Sequence, residues 1–396
     1  MAAVSLHLIL QNLLQRPGVL VLLGCFALVL CLSVPAYFCV LRPRIGTTEW
    51  IRRLDARHFS PLRRVPYAMA DLIWVPLTAL CAACLRFVYL FFMLRLHRSD
   101  NTMELLARYI GRYLPRLAAC AVAALAVYLL VRSLFGKSSA AVCCGVLLGL
   151  TLNSGVYAVT FLALSLLCLW YWLTTPYDAP LFFSGLWLAA SIVLYAGALL
   201  SSFTYLWLAP FYIGVYVAVQ ILRFRGGDRE SRTNKLVLSV LLVVLLLFFG
   251  LIAVGLVYQV VLRGDGDPVV LLRSLSFYRG LFPAIAERMS RLFAPGAVWE
   301  RLYVGDAFLF FAGVLSLIPL LHGVIRLRDS RCLLLLLLLP CFFALWLCAG
   351  TYAMALPLAL CLGWVWSVYA RRGRVLLTVG FTCVTALCFL AERIIL

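Results

Sequence analysis

Asp100 lies in the run Arg95-Leu96-His97-Arg98-Ser99-Asp100-Asn101-Thr102-Met103-Glu104, where a carboxyl group stands among guanidinium groups and an imidazole. A carboxylate can take up a proton, and arginines beside it can hold a phosphate through charge-assisted hydrogen bonds. The same residues also read as a helix start, with Asp100 and Glu104 stabilising the first turn. A second grouping lies in 263–306, where Asp265, Asp267 and Glu300 accompany Arg273, Arg279, Arg288 and Arg291. Its alternative is a solvated face against lipid headgroups. Arg86, in CAACLRFVYLFF, is the only basic residue well inside an apolar run. Its stem would snorkel outward along the helix, or its guanidinium would meet a lipid phosphate at the outer leaflet. Cys81-x-x-Cys84 has the spacing of half a zinc site. No second ligand pair accompanies it, so no metal is predicted.

The elements that must position these groups are apolar helices. Of 396 residues, 65% are hydrophobic and 12% charged, and the mean hydropathy is +1.05. Soluble domains carry about 45–50% apolar and about 25% charged residues, which excludes one water-facing globule. Runs such as LVLSVLLVVLLLFFGLIAVGLVYQVVL (236–262) are long enough to cross hydrocarbon, where a helix satisfies its own backbone. The expected fold class is an all-α polytopic integral membrane protein. Apolar segments near 17–41, 72–94, 115–134, 139–153, 156–173, 181–200, 203–222, 236–262, 307–325, 332–349, 351–369 and 375–391 give about twelve spans. Residues 1–41 hold an N-terminal membrane helix; its apolar run follows Arg16, lacks a small-residue cleavage pattern and reads as retained. Residues 42–70 form a basic linker, and 71–396 the transmembrane module. No internal repeat of the inverted kind is present.

A formal net charge of +19 would suggest nucleic acid in a soluble chain, yet no soluble binding module accompanies it. Arginine-rich loops that set topology and touch anionic headgroups account for it better. Placing 42–64 in the cytoplasm also puts Arg132, Lys137, the run 223–235, Arg326, Arg328, Arg331 and 370–374 there, the larger share of all Lys and Arg. The localisation expected is a plasma (cytoplasmic) membrane, crossed many times. All 15 cysteines lie within or beside apolar runs and read as small buried hydrophobes rather than disulfide partners.

The opposite side then carries two basic, amphipathic stretches. In 95–116, Arg108, Arg112 and Arg116 recur on one helical face, with Leu105, Leu106, Tyr109, Ile110 and Tyr113 on the other. This is the pattern of a helix lying in the headgroup plane. In 263–306 a Gly-Asp-Gly-Asp-Pro turn at Gly264–Pro268 precedes two further amphipathic stretches that end at Pro283 and Pro295.

The stretch RYLPRLAACAVAALAVYLLVRSLFGKSSAAVCCGVLLGLTLNSGVYAVTFLALSLLCLWYWLTT (112–175) resembles the third-to-fifth helix block of GT-C membrane glycosyltransferases. Bacterial protein O-mannosyltransferase-like and aminoarabinose transferase-like members are the nearest in pattern. The features are an Arg-Leu before a helix, the cytoplasmic turn Leu134-Phe135-Gly136-Lys137, and then two helices around a small polar break. Residues 180–223 are similar to the following helix pair, and Gly350–Pro357 to the family's late Tyr…Leu-Pro segment. The likeness covers roughly residues 70–370 and rests on pattern and helix order.

What the resemblance implies is transfer of a sugar from a polyprenyl-phosphate carrier to a glycan, lipid or protein acceptor outside the membrane, with inversion. The family's catalytic acid stands in the first outward loop, after a helix often ending in Arg-Phe. Arg86-Phe87 followed by Ser99-Asp100-Asn101 gives Asp100 that position, and it would take the acceptor proton. Arg86, Arg95, Arg98, Arg273 and Arg279 would hold the lipid phosphate, with Glu104, Asp265 and Asp267 as secondary acids. The family's loop usually carries paired acids, whereas Asp100 is isolated in a short one. A lone outer Asp is a poor divalent site, so no cofactor is demanded beyond the lipid-linked donor. The partners implied are membrane lipids, the polyprenyl-phosphate sugar and its acceptor, with no nucleic acid. The alternatives are a non-enzymatic transporter, flippase or assembly protein for lipid-linked glycans, and a glycan polymerase or ligase.

Overall fold

The computed structural model of the chain describes residues 64–97, 102–151, 155–175, 181–202, 205, 208–223, 307–349 and 355–369, with isolated positions between 373 and 383. These are helical, with no strand among them. Nine helices are described: α1 (Asp71–His97), α2 (Thr102–Phe135), α3 (Ser138–Thr151), α4 (Val156–Thr174), α5 (Leu181–Ser201), α6 (Ala209–Arg223), α7 (Ala307–Ile325), α8 (Ser330–Ala349) and α9 (Ala355–Val368). Each coincides with one of the apolar segments expected from the sequence. The expected spans at 17–41 and 236–262 lie outside the described residues, as do most of 375–391, the linker 42–63 and the loop 263–306.

Among the described residues, Asp71–Val88, Leu114–Phe135 and Val156–Thr174 are long and apolar enough to cross a membrane. Shorter apolar stretches of α5, α7, α8 and α9 accompany them. The chain is a helical membrane protein.

Proline marks several helix starts and interiors. Pro210 and Pro357 fall in the first turns of α6 and α9, where the missing N–H has no intrahelical partner to lose. Pro115, Pro319 and Pro340 lie inside α2, α7 and α8, as spanning helices permit when neighbours satisfy the freed carbonyl. Pro115 does not divide α2. The amphipathic stretch expected to lie apart in the headgroup plane is continuous, from Thr102, with a 34-residue helix. At 1.5 Å per residue α2 is about 51 Å long, more than the ~30 Å hydrocarbon core needs, so part of it extends beyond that core.

α4 and α9 are the central helices. α4 is buried almost all round, from Val156 to Leu173, and α9 from Ala355 to Val365. α2 packs against α1, α3 and α4; α4 against α5; α3 and α9 against each other; and α8 against α7 and α9. α1 is peripheral: Leu72, Ile73, Leu80 and Val88 face outward while Asp71, Thr78, Ala82 and Arg86 face the bundle. The α1–α2–α3 contact is close because Gly145 lacks a side chain. A Cβ there would stand 2.7 Å from the Ala124 carbonyl oxygen and 2.8 Å from Thr78 Cγ2.

Candidate functional site

The most extensive polar constellation among the described residues is built on Asp71, the first residue of α1. The chain enters as a non-helical strap, 64–70, whose Val65 N–H donates to the Ser133 carbonyl at 3.0 Å. A turn at Ala68–Asp71 follows, and Asp71 Oδ2 accepts from the Ala68 N–H at 2.6 Å. An acid that reaches back to a free backbone N–H ahead of its helix stabilises that helix start. Asp71 Oδ1 accepts three more hydrogen bonds: Tyr128 Oη at 2.6 Å, Arg132 Nε at 3.1 Å and Ser138 Oγ at 3.1 Å. One carboxylate therefore ties the strap and the ends of α1, α2 and α3 together.

Local sequence explains why these donors converge. Tyr128 and Arg132 are one turn apart on α2 and share a face. Gly136 has φ +78°, the left-handed conformation that ends a helix without a Cβ clash, and its N–H donates to the Arg132 carbonyl at 2.9 Å. The turn Leu134-Phe135-Gly136-Lys137 thereby reverses the chain and places Ser138 beside the α2 terminus.

The last carbonyls of α2 would otherwise lack partners. Beyond Val65 on Ser133, Arg331 Nη1 donates to the Leu134 carbonyl at 2.6 Å, while further inside the helix Tyr67 Oη donates to the Leu129 carbonyl at 3.1 Å. Arg331 is itself placed by Asp329, which stands just before α8. Asp329 Oδ1 accepts both the Arg331 N–H and its Nε, each at 2.9 Å. The first is an N-cap bond. Arg331 also lies over the Phe135 ring at 5.7 Å, and Arg64 over the Tyr171 ring at 4.9 Å. Tyr67 and Tyr171 share a hydroxyl–hydroxyl bond. Burial of its hydroxyl and that bond push the Tyr67 phenol above its ordinary range, so it stays neutral.

Chemically this cluster is a clamp. Asp71 and Arg132 are 5% and 9% exposed in their side chains, and every acceptor direction of the carboxylate in use is turned to a protein donor. It offers neither a free base nor a nucleophile. Arg132 Nη1 is buried without a partner among the described residues. No group of His, Cys, Asp or Glu among them could hold a metal ion, and Cys81 and Cys84 stand as free thiols.

A second polar cluster joins α4, α5 and α6. Ser165 Oγ donates to the Ser191 carbonyl at 2.7 Å, Ser191 Oγ returns to the Ser165 carbonyl at 2.9 Å, and Tyr212 Oη meets Ser165 Oγ at 2.8 Å. Paired serines that let two spanning helices approach are typical glue. The neighbouring cavity, about 20 Å³ among Leu188, Ile192, Tyr195, Ala209 and Tyr212, has room for about one water.

The residues singled out from sequence fall elsewhere. Arg86 is buried on α1, 5% exposed; it is enclosed by protein and does not snorkel along a lipid-facing surface. Arg95 lies near the end of α1 and Glu104 near the start of α2, at the same end of that antiparallel pair, their side chains outside the described residues. Asp100, Arg98, Asp265, Asp267, Arg273 and Arg279 lie outside the described residues. The clamp residues Asp71, Tyr128, Ser138 and Asp329 were not singled out by the sequence. The signals were a lone acid at the start of an apolar run and a Tyr-x-x-x-Arg pair ahead of a Gly-Lys turn. The loops grouped on one side by their basic residues, 132–137 and 326–331, do meet at one end of the bundle.

No protein-family model matches the chain, and neither does any curated protein or solved structure.

Proposed function

We propose that this membrane protein is a GT-C-type glycosyltransferase, moving a sugar from a polyprenyl-phosphate carrier to a cell-envelope acceptor on the extracytoplasmic side. The observation that supports the reading most is the antiparallel α1–α2 pair. It brings the end of α1 and the start of α2 to the end of the bundle away from Asp71, while the two acids described at the arginine-rich end, Asp71 and Asp329, are occupied in holding helices together. In this reading the chemistry lies at the far end, where Asp100 would take the acceptor proton and Arg95, Arg98 and the buried Arg86 would steady the leaving phosphate, with Arg273 and Arg279 from the loop 263–306. Helix order from α2 to α6 adds to it through the turn at Leu134–Lys137 and the Leu-Pro start of α9. The residues call for no metal.

The test is transfer in membranes supplied with a radiolabelled polyprenyl-phosphate sugar. Asp100→Asn should lower the rate by about 10²–10⁴-fold, the range expected for loss of a general base. Transfer by Asp100→Asn at the wild-type rate would leave Asp100 a helix cap and remove the assignment. A transporter, flippase or assembly protein would show no transfer in the wild type either.

A further inference from the structure

We propose that the arginine-rich end of the bundle is a docking surface for anionic phospholipid headgroups. The two acids described at this end, Asp71 and Asp329, are buried, at 4% and 8% exposure. Each is held by its own guanidinium, Arg132 on Asp71 and Arg331 on Asp329. Arg64, Arg326 and Arg328 are exposed, and Lys137 is half-buried. A count along the sequence sets acids against bases here. The fold withdraws the acids into the bundle and leaves a surface that, among the described residues, is positive.

These cations belong to one patch. Ser133 and Leu134, consecutive on α2, receive the Val65 N–H and Arg331 Nη1, so the 64–70 strap and the 326–331 turn meet at one helix turn. Beside them Met69, Leu72 and Ile325 stand out at 85%, 73% and 68% exposure, with Tyr67 and Trp74 also exposed. The charge alone would suit any polyanion. Leu72, Trp74 and Ile325 belong to apolar helices that a bilayer covers in any case, but a nucleic acid or an acidic soluble protein would leave Met69 and Tyr67, on the strap outside those helices, against water. A leaflet boundary covers them with acyl chain, takes the aromatic rings at headgroup depth and offers phosphates to the cations. The occupant is therefore a lipid of the phosphatidylglycerol class. Docking of this kind does not depend on sugar transfer.

Native mass spectrometry of the detergent-purified full chain, offered equal phosphatidylglycerol and phosphatidylcholine of matched acyl length, tests this. Wild type should retain phosphatidylglycerol at least about fivefold over phosphatidylcholine, as one headgroup–cation contact provides. The preference should fall towards parity in 0.5 M salt, a reading that needs no variant. Arg64→Gln/Arg326→Gln/Arg328→Gln, checked for an unchanged melting temperature, should lose it. Arg326→Lys/Arg328→Lys and, towards the other end of α2, Arg116→Gln should keep it. Parity in the wild type, a preference indifferent to salt, or a folded triple variant that keeps the preference overturns the proposal.

Discussion

Tyr128 and Arg132, one turn apart on α2, donate to the same oxygen of Asp71, at 2.6 Å and 3.1 Å. The pair reads as ordinary helix-end residues along the chain, yet it joins segments 57 and 61 residues distant. Removing one member of a buried ion pair leaves an uncompensated charge, whereas removing both leaves none. Arg132→Ala should therefore destabilise the protein by about 3–5 kcal/mol. Asp71→Ala/Arg132→Ala should cost clearly less than the two single changes summed. Denaturant unfolding in detergent, followed by tryptophan fluorescence, checks both; additive costs would show that the two side chains do not act together.

Arg331 makes a different kind of link. It is held by Asp329 and caps the Leu134 carbonyl from the first turn of α8. Arg331→Ala should cost about 1–3 kcal/mol, the penalty for a carbonyl left without its donor. Arg331→Lys should recover little of this, because one ammonium cannot reproduce the planar fork that spans Asp329 and Leu134. Melting temperatures of the two variants, compared with wild type in the same detergent, measure it.

Gly145 sets how near α3 comes to α2. A Cβ there meets the Ala124 carbonyl oxygen at 2.7 Å, and backbone does not swing aside as a side-chain tip does. Gly145→Ala should destabilise by about 1–3 kcal/mol, the usual range for an overpacked core. Gly185→Ala, at a position with nothing within 4 Å, is the control and should be near neutral. Equal melting temperatures for the two variants would contradict the close approach.

Apolar runs gave the helices directly, because a span of hydrocarbon thickness leaves little choice of conformation. Pattern failed where continuity depended on packing. The periodicity from Glu104 on in the stretch 95–116 suggests a helix lying in the headgroup plane, but Pro115 costs a spanning helix little, and α2 runs through it. The clamp was legible only in fragments. Asp71 is one acid at the edge of a span with nothing local to mark it, and Arg132 and Lys137 read as basic loop residues. Nothing local in the chain says that Tyr128, Ser138 and the Ala68 N–H would all turn to one carboxylate, since α1, α2 and α3 must pack first. Arg86 shows the same limit from the other side. Its position in a span was plain, while its burial by neighbouring helices was not.

Epitope accessibility in sealed vesicles of both orientations tests most directly whether the hairpin end and the arginine-rich end lie on opposite sides of the membrane. One tag is placed after Ser99 and another after Arg328, in separate full-length chains. The Ser99 tag should be reached only in right-side-out vesicles and the Arg328 tag only in inside-out ones. Recognition of both tags from one side, or a Ser99 tag reached only from the cytoplasmic face, would contradict an extracytoplasmic Asp100 and with it the transfer reaction.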